Sequence, residues 1–146
     1  MKKIFTAFLV LFLALSLMAC GTKQPAADVG AGTDTPVVTD GAVLGEGAHS
    51  FTLEITDQEG KTITATINTD EKTVGAALTK LNIVQGENSD YGLYIKTVNG
   101  ITADYEKDQT YWSFYIDGEY AQTGADMTAI TDGSVYKLAV ETAAEK

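Results

Sequence analysis

The chain has 146 residues, 45% hydrophobic and 21% charged, and carries a net charge of −10 with a pI near 4.3. All ten basic residues are lysine, which excludes a phosphate site built on bidentate arginine and argues against nucleic-acid binding, which depends on clustered Lys and Arg. Cys20 is the one cysteine, so no disulfide forms within the chain and the fold holds by packing alone.

The chain opens Met1-Lys2-Lys3 and continues as an apolar run from Ile4 to Ala19, interrupted by Thr6 and Ser16. A membrane-spanning helix needs about 20 apolar residues, so this run is short for a span. A charged start with a short apolar core reads as an export signal. Its end, Leu17-Met18-Ala19-Cys20-Gly21, resembles the lipobox of bacterial lipoproteins, in which the thiol is diacylated and becomes the new N-terminus. The resemblance implies a signal peptide over 1–19, a palmitate-type lipid anchor on Cys20, and a mature protein on the extracytoplasmic face of the cell membrane. Residues 20–47 are rich in Gly, Ala, Thr, Asp and Val, hold both prolines (Pro25 and Pro36), and show no hydrophobic period. They read as a flexible tether with a reach of about 30 Å. The domain is expected over 48–146.

Phe51, Leu53 and Ile55 alternate with polar residues, as do Ile63, Ala65 and Ile67. These are two strands, joined into a hairpin by the turn Asp57-Gln58-Glu59-Gly60. Val74, Ala77, Leu78 and Leu81 recur at helical spacing, with Thr69, Asp70 or Thr73 as the cap. Gly75 weakens that helix by about 1 kcal/mol relative to alanine. Leu93 to Val98 is a strand that turns at Asn99-Gly100 and returns over Ile101 to Tyr105. Tyr111 to Ile116 is the most aromatic strand; it turns at Asp117-Gly118 into Glu119 to Gln122. Asp132-Gly133 is a third turn, and Val135 to Glu141 closes the domain with Tyr136, Leu138 and Val140 on one face. The predicted class is α+β and β-grasp-like: an antiparallel or mixed sheet of hairpins with one short helix packed across it.

Four segments in order carry a resemblance to a family. They are Thr-Val-Gly-Ala-Ala-Leu at 73–78, Tyr-Ile-Lys-Thr-Val-Asn-Gly-Ile at 94–101, Tyr-Trp-Ser-Phe-Tyr-Ile-Asp-Gly at 111–118, and Gln-Thr-Gly-Ala at 122–125 followed by Asp132-Gly133. Together they resemble the transcobalamin-like C-terminal domain, known in bacteria as DUF4430. The resemblance implies a β-grasp-like fold and, as in the animal relatives, binding of cobalamin or a related corrinoid. In those relatives the domain closes over the vitamin from one side and a large helical domain supplies the other. This chain is too short to carry the second part, so the resemblance implies half of such a site.

Catalysis finds little support. His49 is the one histidine, and Ser50 beside it lies on the opposite strand face. The chain is therefore expected not to be an enzyme. Zinc ligands of the Cys or His type are lacking, and no metal site is expected. Asp104, Glu106 and Asp108 alternate, which suits a solvated strand edge better than a calcium loop, since the glycine and distal glutamate of an EF-hand are missing. The aromatic strand places Trp112, Phe114 and Ile116 on a core face and Tyr111, Ser113 and Tyr115 outward. With Tyr94, Tyr105 and Tyr120 nearby, the outward tyrosines form a flat amphipathic platform or simply cover a sheet. The candidate ligand-binding set is Tyr94, Thr97, Asn99, Tyr111, Trp112, Tyr115 and Tyr120. Two roles follow: a lipid-anchored binding protein serving a membrane transporter, or a surface protein-interaction or spacer module.

Overall fold

The structure is a computed structural model that describes residues 37–143. The expected signal peptide, Cys20 and the first part of the tether lie outside the described residues. The elements run β1 (Ala42–Leu44), β2 (His49–Thr56), β3 (Thr62–Thr69), α1 (Val74–Lys80), β4 (Val84–Ser89), β5 (Gly92–Val98), β6 (Ile101–Thr102), α2 (Tyr105–Asp108), β7 (Thr110–Ile116), β8 (Glu119–Tyr120) and β9 (Val135–Thr142).

Six strands make one mixed sheet in the order β1-β3-β2-β9-β7-β8, and β4-β5-β6 make a second, smaller one. At the centre of the large sheet β2 and β9 run parallel, with Leu53 opposite Tyr136 and Ile55 opposite Leu138. Antiparallel neighbours flank them: β3 beside β2, and β7 beside β9. A parallel central pair inside two antiparallel ones is the β-grasp order, and the chain is α+β with sheet predominating. The period-2 patterns of the sequence decide which face is buried. Phe51, Leu53, Ile55, Ala65, Ile67, Tyr136, Leu138, Trp112 and Phe114 all enter one core, closed from the other side by Val74, Ala77 and Leu78 of α1 and by Val84 and Val98 of the small sheet. Tyr136, 1% exposed, organises the centre: Phe51 meets its ring edge-on at 5.1 Å and Phe114 stacks on it at 6.1 Å. Its hydroxyl donates to Ala129 O and accepts from Thr131 N–H, which satisfies a polar group in an apolar core.

Helix α1 starts at Thr73, whose Oγ1 accepts the Ala76 N–H at 3.3 Å, so the third of the expected caps is the one used. The Asn99-Gly100 and Asp117-Gly118 turns have positive φ at both central residues (51° and 77°, 49° and 87°), the geometry a two-residue hairpin requires.

Three expectations need correction. The ordered domain begins well before Ala48: Val38 is 3% exposed in the core, and β1 pairs parallel with β3 within the segment expected to be tether. The strand expected over Ile101 to Tyr105 stops at Thr102, and the chain turns into the short helix α2. Asp104 caps that helix, accepting the N–H groups of Glu106 and Lys107, which a strand edge does not do. The segment expected to pair from Glu119 to Gln122 is a strand only at Glu119–Tyr120. Strand β4 was not expected at all; only Val84 in it is buried, so it carries no alternation to read.

Candidate functional site

Strand β7 sends its side chains to two different environments. Trp112 and Phe114 point inward and are each 8% exposed. Tyr111 and Tyr115 stand on the outer sheet face. Ser113 shares their side of the strand but is buried at 1% exposure, and its Oγ has no hydrogen-bond partner.

The outer tyrosines are tied into the sheet. Tyr111 Oη donates to Glu141 Oε2 at 3.0 Å, and Tyr115 Oη donates to Glu141 Oε1. The hydrogen bond to Glu141, helped by burial, pushes the Tyr115 phenol up to about 12. Tyr120 meets the Tyr115 ring edge-on at 5.4 Å, and Lys137 Nζ sits 5.8 Å from the centre of that ring.

The inner side is more open. Between β5 and β7 lies a cleft of about 320 Å³ walled by Leu93, Tyr94, Ile95, Trp112, Phe114, Tyr120 and the segment from Ala121 to Ala125. Tyr94 and Tyr120 are half exposed at its rim. Trp112 lines the cleft, and its Nε1 is buried with no hydrogen-bond partner. Tyr94 also lines a neighbouring cavity of about 330 Å³ with Lys96, Asp104, Tyr105 and Glu106.

The candidate residues thus divide. Tyr94, Trp112 and Tyr120 converge on the cleft. Tyr111 and Tyr115 lie on the opposite face, so there is no single tyrosine platform; Tyr120 is the one residue touching both settings. Thr97 does not line the cleft and its Oγ1 bonds Thr102 Oγ1 at 2.9 Å across β5 and β6. Asn99 has another use. Its Oδ1 accepts the Val38 N–H at 2.6 Å and its Nδ2 donates to Val38 O at 3.1 Å, clipping the N-terminal segment to the turn. Both polar ends are occupied, and it is not a ligand residue of the cleft. Leu93, Ile95 and the Ala121–Ala125 wall were missed as lining; the Gln122-Thr123-Gly124-Ala125 run was the available signal for the wall. His49 lies exposed, with Nδ1 3.2 Å from Asp132 Oδ1. The Ser50 N–H and His49 together hold the Asp132 carboxyl below its usual range.

The sequence profile of a domain of unknown function, DUF4430, matches residues 71–140, the span from the start of α1 through most of β9. A solved structure of a proposed metal-binding protein from Ruminococcus gnavus ATCC 29149 is 32% identical, with a TM-score of 0.62; the match covers 65% of this chain and 98% of that one. The chain belongs to the DUF4430 family. Haptocorrin in complex with Cbi is also similar, at 19% identity and a TM-score of 0.49, over 64% of this chain and 25% of that one; so distant a likeness carries no functional argument. No curated protein matches.

The metal-binding description of the R. gnavus protein is tested by the side chains here. Among the described residues of this DUF4430 domain, no three His, Cys, Asp or Glu side chains come together as a metal would need. Asp104 caps α2, and Asp108 accepts from Thr110, whose hydroxyl holds that carboxyl below its usual range. Among the described residues these carboxylates therefore do not assemble a side-chain metal centre.

Proposed function

We propose that this DUF4430 protein is a non-catalytic binding protein, held by lipid on Cys20 at the extracytoplasmic face of a cell membrane, that takes a planar ligand against Tyr94, Trp112 and Tyr120. The observation that carries this reading is the convergence of those three aromatic residues, from β5, β7 and β8, on one cleft. A corrinoid or related cofactor suits it in three ways. Aromatic side chains offer large contact area at low entropy cost. The Trp112 indole lines the same wall and enlarges that contact. At about 320 Å³ the cleft is at the small end of ligand pockets, so it grips one edge of a large ligand and leaves the rest to a partner, which suits hand-over to a membrane transporter.

Trp112 is the chain's one tryptophan, so the site carries its own reporter. Titration with cobalamin and cobinamide is expected to quench its emission saturably. Tyr94→Ala and Tyr120→Ala should each weaken binding about tenfold, equivalent to about 1.4 kcal/mol. Tyr111→Phe, on the other face, should leave affinity unchanged. Absence of saturable quenching up to millimolar ligand removes the reading. The alternative is a surface protein-interaction or spacer module, supported by the tyrosine-rich outer face of β7. Crosslinking in intact cells that recovers a partner from the wild type and loses it with Tyr115→Ala would favour that role.

A further inference from the structure

Tyr105 and its neighbours at the start of α2 have no use in the reading above, yet they help to wall the second cavity, of about 330 Å³. Tyr94 lines both that cavity and the aromatic cleft; the other lining residues differ. Tyr94 and Tyr105 are 44% and 49% exposed, so both rings are open to a ligand. The remaining lining is polar and carries both signs of charge. Lys96 gives one of the three N–H donors of its ammonium to Glu87 at 2.8 Å and keeps two. Asp104 spends Oδ1 on the Glu106 and Lys107 N–H groups at 3.1 and 3.3 Å, which leaves Oδ2 as an acceptor. Glu106 enters no salt bridge among the described residues. Thr102 adds a hydroxyl, which shares one bond of 2.9 Å with Thr97.

This mixture selects its ligand by charge. An anion would be repelled by Asp104 and Glu106, and a cation by Lys96. An apolar ligand would strip water from these groups and give nothing back. A sugar hydroxyl both donates and accepts, so it answers an ammonium and a carboxylate alike without bringing a charge of its own. The C–H face of a pyranose ring is apolar and packs flat on a tyrosine ring. At about 330 Å³ the cavity is at the small end of ligand pockets, which suits a single sugar ring. We propose that it binds one ring of a neutral glycan, held between Tyr94 and Tyr105 with its hydroxyls on Lys96, Asp104 and Glu106.

The test is calorimetry on the full chain at physiological ionic strength, which screens long-range attraction to its net negative charge. The probes are neutral tetrasaccharides of glucose, galactose, mannose and N-acetylglucosamine, with tetragalacturonate as the anion and the glucosamine tetramer as the cation. At least one neutral tetrasaccharide is expected to bind with a Kd of about 1 mM or tighter. Tyr105→Ala and Glu106→Gln, both outside the cleft, should each weaken it about tenfold, equivalent to about 1.4 kcal/mol. The charged tetramers should bind the wild type more weakly, a comparison that needs no variant. Trp112 does not line this cavity, so its emission should stay unchanged as the glycan binds. The proposal is overturned if no neutral tetrasaccharide gives saturable heat up to tens of millimolar, or if both variants bind as well as the wild type. It is overturned equally if a charged tetramer binds as tightly and loses that binding with Tyr105→Ala, or if the glycan quenches Trp112, which would place it in the cleft.

Discussion

Replacing Gly75 by alanine sets two effects against each other, and their sizes decide the result. Gly75 is the second residue of α1. Helix propensity alone says that alanine there gains about 1 kcal/mol. The packing says otherwise. A Cβ at Gly75 would stand 2.6 Å from both N and Cα of Asp126 and 2.9 Å from the carbonyl carbon of Ala125. All three are backbone atoms, so no side chain can swing aside. The segment is also tied to the helix start: the Gly75 N–H donates to Ala125 O at 2.8 Å and the Val74 N–H to Thr128 O at 3.0 Å. Overpacking costs about 1–3 kcal/mol, and three contacts under 3 Å against main chain place this case in the upper half of that range. After the propensity gain is subtracted, Gly75→Ala should destabilise by about 1–2 kcal/mol and lower Tm by roughly 5–15 °C. Urea unfolding should show a lower midpoint with an unchanged slope. A Tm equal to or above wild type would mean that α1 stands farther from the Asp126 segment than described, and the packing argument would be wrong.

Asn99→Ala removes both hydrogen bonds to Val38 while keeping a left-handed backbone that alanine resists; it should cost roughly 2 kcal/mol and accelerate hydrogen exchange at the Val38 amide. Tyr115 titrates near 12 in the folded protein against the usual 10.0, so the folded state holds that proton more tightly. Its contribution is whole below pH 10 and is lost as the pH climbs from 10 through about 12. Ultraviolet titration should show the Tyr115 phenol ionising late, and Glu141→Gln should bring it back toward 10. Cys20→Ser should shift the protein from the membrane fraction to the soluble fraction, and a free thiol in the intact mass of the membrane-associated wild type would refute the lipid anchor.

The core of the fold was readable because its signals are local. Phe51, Leu53 and Ile55, and again Tyr136, Leu138 and Val140, alternate cleanly; the Asn99-Gly100 and Asp117-Gly118 pairs supply the positive φ that short hairpins need. Strands β1 and β4 were not readable, since one is three residues long and the other is exposed beyond Val84; both form because a neighbouring strand offers hydrogen bonds. The site was half legible. Alternation along β7 correctly parted Trp112 from Tyr111 and Tyr115. Nothing in the sequence said that β5 would come beside the inner face of β7, which places Tyr94 near Trp112. Asn99 misled because one residue both shapes a turn and clips a distant strand of chain. Asp126 went unnoticed, because a buried oxygen without a partner, such as its Oδ1, is recognisable only when its surroundings are known.

The parallel pairing of β2 with β9 governs how this molecule is made. Ser50 and Asp132, which meet at the end of that pair, are 82 residues apart in sequence. Such high contact order means slow loop closure, with β7 and β8 unable to join β2 and β3 until the last strand slots between them. A nascent chain halted before Val135 therefore carries the β2–β3 and β7–β8 hairpins with no seam to unite them, and remains open to proteases and to carriers of unfolded polypeptide until β9 is made.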